Sequence, residues 1–417
     1  MHSDHQPRYR SSAMDRAVAP TRIVCAVGPV ADLDETRVRA NLQAAERASQ
    51  TPRLALDPRP DALHWRYRTG IAEASVWRRD DLSTDDLGRL VATIRNRREP
   101  RGPLEVLICG DYLVVDLSHG VGDGQMGLML MAVLAGEISP EAAATLAVGL
   151  PENAARRAVW QHYSAHPRAL VDAWRLRAAH KAPPPGPAGL RHIDHWRRHK
   201  NSVSAFMEPA AVARLRDWAK TNAAGSTTAS VTVALWLAAL HSVGVRLDPR
   251  VMVLMNCRRY LGPDYLMAHG NFAVGLPLLM PARATAPRIA ATVRDVIDSG
   301  WPLAVLQVAE LKAALRRGVP VGGATGADVP DRIRLSVSDL GRLSMFDNVR
   351  WSSNRPPQVA AFLEPDGADA VTMLVSELAG GRTFTVSFCD QMIAPSIIDE
   401  ALAEMCNAPV KTLLRVS

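Results

Sequence analysis

Hydrophobic and polar residues follow two different spacings along this chain, one typical of helices and one typical of strands. Residues 33–49 (LDETRVRANLQAAERAS) have the pattern of an amphipathic helix. Residues 83–97 (STDDLGRLVATIRNR) also predict a helix, with acidic side chains in the first turn, where the helix dipole favours them. An extended apolar run at 104–117 (LEVLICGDYLVVDL), interrupted at Gly110-Asp111, predicts strands. Alternating strands and helices predict an α/β fold.

A proline-rich segment divides the chain. Residues 181–189 (KAPPPGPAG) fit neither a helix nor a central strand, and 417 residues are too many for one ordinary core. We therefore predict an N-terminal subdomain at 21–182, a linker at 183–190 and a C-terminal subdomain at 191–417. The polar residues 1–20 lack the apolar core of a secretion signal and predict a disordered leader.

Composition narrows the class of protein. Apolar residues make up 47% of the chain and no run of 18 uncharged apolar residues occurs, which is typical of a soluble globular protein. Five scattered cysteines without a C-x-x-C pair indicate a reducing compartment, so we expect the cytoplasm. The net charge of +7 is dispersed and aromatic residues are 5% of the chain, which argues against nucleic-acid binding. A mildly basic face would suit a CoA phosphate or an acidic carrier domain, but arginines that only solvate helices explain the charge equally well.

The most informative segment is residues 118–124 (SHGVGDG), which follows the predicted strands and precedes an apolar, helix-like run at 125–135. His119 lies four residues before Asp123 in this glycine-rich turn. Histidine can take and return a proton near neutral pH without a large pKa shift. The pattern therefore predicts a short loop that carries a general base.

The same segment also spells G-x-G-x-x-G at residues 122–127, the pattern of a dinucleotide-binding turn. That turn requires a second strand after the helix and an acidic residue about 20 positions further on. Here the helix is followed by residues 136–140 (GEISP) and more helix. An aspartate between the first two glycines would also face the phosphates. We therefore favour the general-base loop.

A second histidine cluster comprises His192, His195 and His199 (HIDHWRRHK). The H-x-x-x-H spacing can place two imidazoles on one helical face, as in some zinc sites. The glutamate of H-E-x-x-H is missing, and the neighbouring arginines and Lys200 would repel a cation. We expect no metal ion here.

His-x-x-x-Asp-Gly between a strand and a helix resembles the CoA-dependent acyltransferase superfamily. That superfamily includes chloramphenicol acetyltransferase, the condensation domains of nonribosomal peptide synthetases and the polyketide-associated acyltransferases. Further segments resemble family motifs and occur in the family's order. They are residues 228–243 (helix after the linker), 253–261 (strand and N-x-R), 270–275 (G-N-F-x-G), 336–341 (S-N-x-G) and 383–390 (late strand).

Two residues depart from the family pattern. Ser118 replaces the first of the two adjacent histidines found in condensation domains, a mostly structural position. Asp339 replaces the asparagine of S-N-x-G. The D-F-G-W-G motif of the plant branch is absent. The length of the chain favours a free acyltransferase over a synthetase module.

The resemblance implies two chloramphenicol-acetyltransferase-like subdomains of mixed sheet plus helices, arranged as a V with a channel at their interface. His119 would stand midway along the channel, with the donor thioester entering from one face and the acceptor from the other. Asp123 would complete the catalytic loop by bracing it against an arginine, and Arg258 is the first candidate for that partner.

Other site residues follow from the same resemblance. The tetrahedral oxyanion needs hydrogen-bond donors, and the candidates are the amide of Gly124 and the hydroxyl of Ser336 or Ser338. Both serines can equally well serve backbone groups at a strand end. The residues implied along the substrate channel are Gly122, Asn271, Asp339 and Gly341.

The function implied is transfer of an acyl group from a CoA or carrier-protein thioester to the hydroxyl or amine of a small molecule or lipid. No Ser or Cys nucleophile is paired with His119 in sequence, so we expect no covalent acyl-enzyme and no cofactor beyond the thioester itself. Two alternatives stay open: a condensing enzyme that forms an amide, and a non-catalytic protein that binds a carrier or an acyl chain. Peripheral contact with a membrane is a further candidate interaction.

Overall fold

Two mixed sheets with flanking helices form the framework of the protein. The structure is a computed structural model that describes residues 7–49, 52–136, 148–182, 189–281, 283–315 and 326–415. The strands are β1 (Arg8–Arg10), β2 (Arg22–Gly28), β3 (Leu56–Asp57), β4 (His64–Tyr67), β5 (Val76–Arg78), β6 (Leu104–Cys109), β7 (Tyr112–Ser118), β8 (Leu190–Asp194), β9 (Lys200–Met207), β10 (Leu247–Asn256), β11 (Ala273–Leu279), β12 (Gly326–Pro330), β13 (Ile333–Arg342), β14 (Gln358–Phe362), β15 (Ala370–Leu378) and β16 (Gly381–Cys389).

The helices surround these sheets. They are α1 (Ala13–Val18), α2 (Glu35–Arg47), α3 (Ile71–Ser75), α4 (Leu87–Arg95), α5 (Gly124–Ala135), α6 (Ala154–Ala165), α7 (Ala169–Ala179), α8 (Pro209–Asn222), α9 (Thr228–Ser242), α10 (Ala286–Asp298), α11 (Trp301–Leu315), α12 (Pro395–Asn407) and α13 (Pro409–Leu414). Within the described ranges, no helix is both long enough and apolar enough to cross a membrane.

The first sheet has the strand order β14-β2-β7-β6-β5. Strands β6 and β7 are an antiparallel pair whose residues are buried along their whole length, because α5 covers one face of the sheet and α4 the other. Alternate side chains of β7 therefore enter two separate cores. This double burial explains the unbroken apolar run in the sequence.

The second sheet has the order β11-β10-β13-β15-β16-β9. Strands β10 and β13 are parallel neighbours in its centre, and β13 is parallel to β15. Helix α9 is buried along almost its whole length in the main core of this sheet, with Trp236 fully enclosed. A helix that is apolar on all sides is the expected result of such burial.

The two subdomains are not consecutive in sequence, so the predicted division at residues 183–190 needs correction. Strand β14 lies in the half assigned to the second subdomain, yet it pairs antiparallel with β2, from Gln358 opposite Gly28 to Phe362 opposite Val24. Its apolar side chains complete both cores of the first sheet. Residues 183–188 of the predicted linker lie outside the described residues, and Leu190 already begins β8.

The prediction of a disordered leader at 1–20 is wrong for residues 7–20, while residues 1–6 lie outside the described part. Strand β1 pairs with β4, and the ring of Tyr9 packs 5.7 Å from that of Trp65. Helix α1 begins at a capping box in which Ser12 and Asp15 each accept from the other's backbone amide. The polar composition of this segment predicted disorder, but the pairing of β1 with β4 and the capping box of α1 hold it in place.

Candidate active site

The loop with His119 begins where β7 leaves the first sheet. Ser118, the last residue of β7, is buried, and its hydroxyl donates to the carbonyl oxygen of Ala19 (2.8 Å). The same hydroxyl oxygen accepts from the amide of Gly120 (3.3 Å). The Ser118 side chain is therefore fully used in fixing backbone, and its hydroxyl makes no contact with the imidazole of His119.

Hydrogen bonds hold the His119 backbone on both sides. Its amide donates to the carbonyl oxygen of Thr21 (2.9 Å), and its carbonyl oxygen accepts from the side-chain amide of Asn271 (2.9 Å). The imidazole is half-buried, and its Nδ1 is buried without a hydrogen-bond partner among the described residues. Nε2 is therefore the ring nitrogen available to a substrate.

Asp123 and Arg258 form a buried ion pair across the two subdomains. Nη2 of Arg258 lies 2.7 Å from Oδ2 of Asp123, and the arginine side chain is only 1% exposed. The same guanidinium donates to the backbone carbonyls of Ala268 (2.6 Å) and Gly270 (2.8 Å). The structure thus brings together the two residues that the resemblance paired, and the carboxylate holds the loop.

The first turn of α5 points unsatisfied amides at the region beside the loop. Asp123 is the N-cap residue, but its carboxylate is turned towards Arg258 and caps no amide. The amides of Gly124, Gln125 and Met126 precede the first intrahelical bond, which Gly127 donates. A side chain at Gly124 would meet open space, whereas one at Gly122 would lie 2.8 Å from Met126. The electropositive end of the helix, five residues after His119, therefore lies beside the open space at Gly124.

A buried polar network below the loop was missed by the sequence analysis. Arg53 donates to the carbonyl oxygens of Val121 (2.9 Å) and Gly120 (3.1 Å), and its Nη2 also lies 3.1 Å from Oδ1 of Asp15. Asp15 in turn accepts from the hydroxyl of Tyr9 (2.7 Å) and from the side-chain amide of Asn271 (3.2 Å).

The electrostatics of this network favour an ionised Asp15. Burial by itself raises the pKa of Asp15, but the charge of Arg53 and the hydrogen bonds from Tyr9 and Ser12 outweigh burial and leave the pKa below its ordinary value. Burial raises the pKa of Tyr9 to about 12, so its hydroxyl stays protonated and donates. The only sequence signal for the network was the capping box of α1.

The pleat of β13 separates the residues that the S-N-x-G resemblance had grouped. Ser338 lies opposite Leu374 of β15, whose side chain belongs to a core of the first subdomain. Ser336 shares that face, while Val337 and Asp339 project to the other face, towards α9. The two serines therefore face the first subdomain, and the structure does not bring Asp339 together with them.

Asp339 and Gly341 lie beside two adjoining cavities. Asp339 is paired with the buried Arg382 (2.9 Å) and also accepts from the amide of Gly341 (2.8 Å). One cavity, of about 320 Å³, has mainly apolar walls, formed by Val233, Val253, Ile289, Val293, Ile297 and Val337. The other, of about 550 Å³, is more polar and contains Arg216, Arg342 and Arg382.

The histidine cluster forms no helical face. His192 lies on β8 and its ring contacts Asp328 (2.7 Å) and Asp194 (3.1 Å). His195 has left-handed backbone geometry and His199 follows a short 3-10 turn. Throughout the described ranges, no group of three His, Cys, Asp or Glu side chains is placed to hold a metal ion.

Several solved structures share this fold. No protein-family model and no curated protein matches the chain. Trichothecene 15-O-acetyltransferase from Fusarium sporotrichioides is similar with a TM-score of 0.62 and 10% identity, over 98% of this chain and 95% of that one. Polyketide synthase associated protein 5 from Mycobacterium tuberculosis gives a TM-score of 0.56 and 13% identity, over 97% and 98%. The condensation domain that releases chains from the enacyloxin polyketide synthase gives 0.53 and 14%, over 99% and 86%.

These proteins belong to the CoA-dependent acyltransferase superfamily. The predicted resemblance in fold, with chloramphenicol-acetyltransferase-like subdomains of mixed sheet plus helices, is confirmed. At identities of 10% to 14%, the similarity concerns the fold.

Proposed function

We propose that this protein is an acyltransferase in which His119 is the general base. The observation that carries the proposal is the loop itself: a half-buried imidazole lies beside the uncapped first turn of α5, and the buried Asp123–Arg258 pair fixes the loop. A proton acceptor next to preorganised amide donors is what acyl transfer requires. The similar structures, which include an acetyltransferase and condensation domains, favour a transferase.

The reaction proceeds in two steps at this loop. Nε2 of His119 takes the proton from the acceptor hydroxyl or amine as the acceptor attacks the thioester carbonyl carbon. The carbonyl oxygen becomes an oxyanion and accepts hydrogen bonds from the Gly124 amide, with the Ser336 or Ser338 hydroxyl as a further candidate donor. The intermediate then breaks its carbon–sulfur bond, and the departing thiolate receives the proton back from Nε2. The products are an ester or amide and a free thiol.

The donor path that we propose runs between the subdomains, along the face of β13 that carries Ser336 and Ser338. The two cavities beside Asp339 lie on the opposite face of β13 and are lined by none of residues 118–124. The arginines of the polar cavity are paired with Glu377, Asp347 and Asp339. Gly122 and Asn271 lie on the loop side of this path, whereas Asp339 and Gly341 lie beside the cavities. Similarity to a polyketide-synthase condensation domain supports a carrier-bound donor as well as CoA.

Amide formation between carrier-bound partners is the second candidate. It uses the same base, because an attacking amine also has to lose a proton. A condensation domain is among the similar structures. The deciding experiment incubates the full chain with acyl-CoAs and acyl carrier proteins of graded chain length, with alcohol and amine acceptors, and detects free thiol. Acceptor-dependent thiol release establishes acyl transfer, and the product bond distinguishes the two candidates. Binding of donors without any thiol release would favour the non-catalytic alternative.

Initial-rate kinetics should show that the donor and the acceptor are bound together in a ternary complex when the acyl group is transferred. The Ser118 hydroxyl donates to the backbone of Ala19 and accepts from that of Gly120, so this neighbour of His119 is not free to accept the acyl group. Initial-rate plots at varied donor and acceptor are therefore expected to intersect. A covalent acyl-protein found by intact mass after incubation with donor alone would contradict this, and Ser118→Ala would then be the first variant to test.

Arg53 is a positioning residue for the loop, and Arg53→Met should lower kcat with little change in KM. The expected loss is about 10- to 100-fold, because small displacements of a reacting group are costly. Arg53→Lys keeps the charge but lacks the forked donors and should recover only part of the rate. The matched control is Arg59→Met, since the Arg59 side chain is 64% exposed. An unchanged kcat in folded Arg53→Met would remove Arg53 from this role.

A further inference from the structure

Two tryptophans protrude from neighbouring helices of the structure. Trp160 on α6 is 75% exposed and Trp174 on α7 is 71% exposed. Both helices pack against α11, and through other residues: Ala154, Ala155 and Ala158 of α6 are buried, as are Ala169 and Ala173 of α7. The indole rings therefore contribute little to the core. A single exposed apolar side chain is ordinary, whereas a contiguous exposed apolar patch marks an interaction site.

Helix α7 has a second apolar stripe that faces away from the protein. At about 100° per residue, Leu170, Val171 and Trp174 lie roughly 100° to 200° around the helix axis from the buried Ala169. Leu170 is 60% exposed and Val171 48%. The helix thus has one apolar face for the core and another for a partner outside it.

Arginines border both tryptophans. On α7, Arg177 lies on one side of the apolar stripe, while Arg168 and Arg175 lie on the other. On α6, Trp160 follows Arg156 and Arg157 by one helical turn. Residues 151–181 contain six Lys or Arg against two Asp or Glu.

We propose that the outer faces of α6 and α7, which carry Trp160, Leu170, Val171, Trp174 and the flanking arginines, bind the interface of an anionic membrane. Apolar side chains enter the boundary between headgroups and acyl chains, tryptophan rings lie at the headgroup level, and arginines contact anionic headgroups. An apolar stripe with positive charge along both edges matches a helix lying in the plane of such an interface. The proposal rests on this surface alone and is independent of the chemistry at His119.

Vesicle binding by the full chain tests the proposal. We expect the protein to sediment with vesicles of phosphatidylcholine mixed with phosphatidylglycerol and to bind vesicles of phosphatidylcholine alone much more weakly. The Trp160→Ser/Trp174→Ser variant should lose at least about tenfold in partitioning to the anionic vesicles. The Arg168→Gln/Arg175→Gln variant should lose about fivefold for each arginine removed.

Trp77→Ser is the matched control, because Trp77 is 48% exposed on β5 of the first subdomain. It should bind vesicles like the parent protein. All these substitutions are at exposed positions, and thermal unfolding confirms that each variant is folded. The proposal is overturned by absent binding, by equal binding to both vesicle types, or by an equal loss in Trp77→Ser. A concentration-dependent dimer that the Trp160→Ser/Trp174→Ser change abolishes would also overturn it, since a second copy would then cover the surface.

Discussion

The His119→Ala variant is expected to turn over about 10²- to 10⁴-fold more slowly than the parent protein, the usual contribution of a positioned general base. The loss should appear in kcat, because the imidazole accepts a proton in the chemical step and contributes little to substrate affinity. Nε2 is the nitrogen that the fold leaves accessible, while Nδ1 is buried. The measurement is the initial rate of acceptor-dependent thiol release.

His241→Ala is the control for this experiment, since His241 is exposed in the last turn of α9. It should keep the parent rate, and both variants should keep the parent circular dichroism spectrum and melting temperature. A folded His119→Ala protein with full activity would eliminate His119 as the general base.

Asp123→Asn is expected to destabilise the protein by about 3 to 5 kcal/mol, the usual cost of breaking a buried ion pair by removing one partner. Arg258 is 1% exposed and would remain charged in the interior without its counterion. The free energy of unfolding from urea titration gives the loss, which is large relative to a typical total of about 5 to 15 kcal/mol. Activity should fall too, because the loop loosens.

The exposed pair of Arg59 and Asp61, 3.6 Å apart, is the matched comparison, and Asp61→Asn should change stability by less than about 1 kcal/mol. Adding Arg258→Gln to Asp123→Asn should cost less than the sum of the two single changes, because the unpaired charge is gone. The structural role would be contradicted if Asp123→Asn kept full stability but abolished the pH dependence of the rate. Asp123 would then take part in proton transfer.

Part of the site could be predicted because its residues lie close together in the sequence. His119, its strand and its helix are consecutive in sequence, so an apolar run, a glycine-rich turn and a second apolar run were enough to place them. Asp123 and Arg258 are 135 residues apart, and their pairing came from the resemblance rather than from any periodicity.

The residues that were missed interact over long separations through polar contacts. Arg53 meets Asp15 across 38 residues, and neither position belongs to a repeating hydrophobic pattern. A segment read as a leader therefore supplies part of the support for the loop. The grouping of Ser336 and Ser338 with Asp339 was avoidable, because successive side chains of a strand point to opposite faces. Asp339 follows Ser338 by one residue and Ser336 by three, and these odd spacings place its side chain on the other face of the sheet.

The strand order of the first sheet also dictates when that sheet can be completed. Strand β2 leaves the ribosome early, but β14, its neighbour on one side, is synthesised more than 300 residues later. Until then one edge of β2 offers unpaired amides and carbonyls, which are a template for association with other chains. The first sheet can therefore be completed only after almost the entire chain has been synthesised. If the two halves were produced separately, they would have to associate before β2 and β14 could pair.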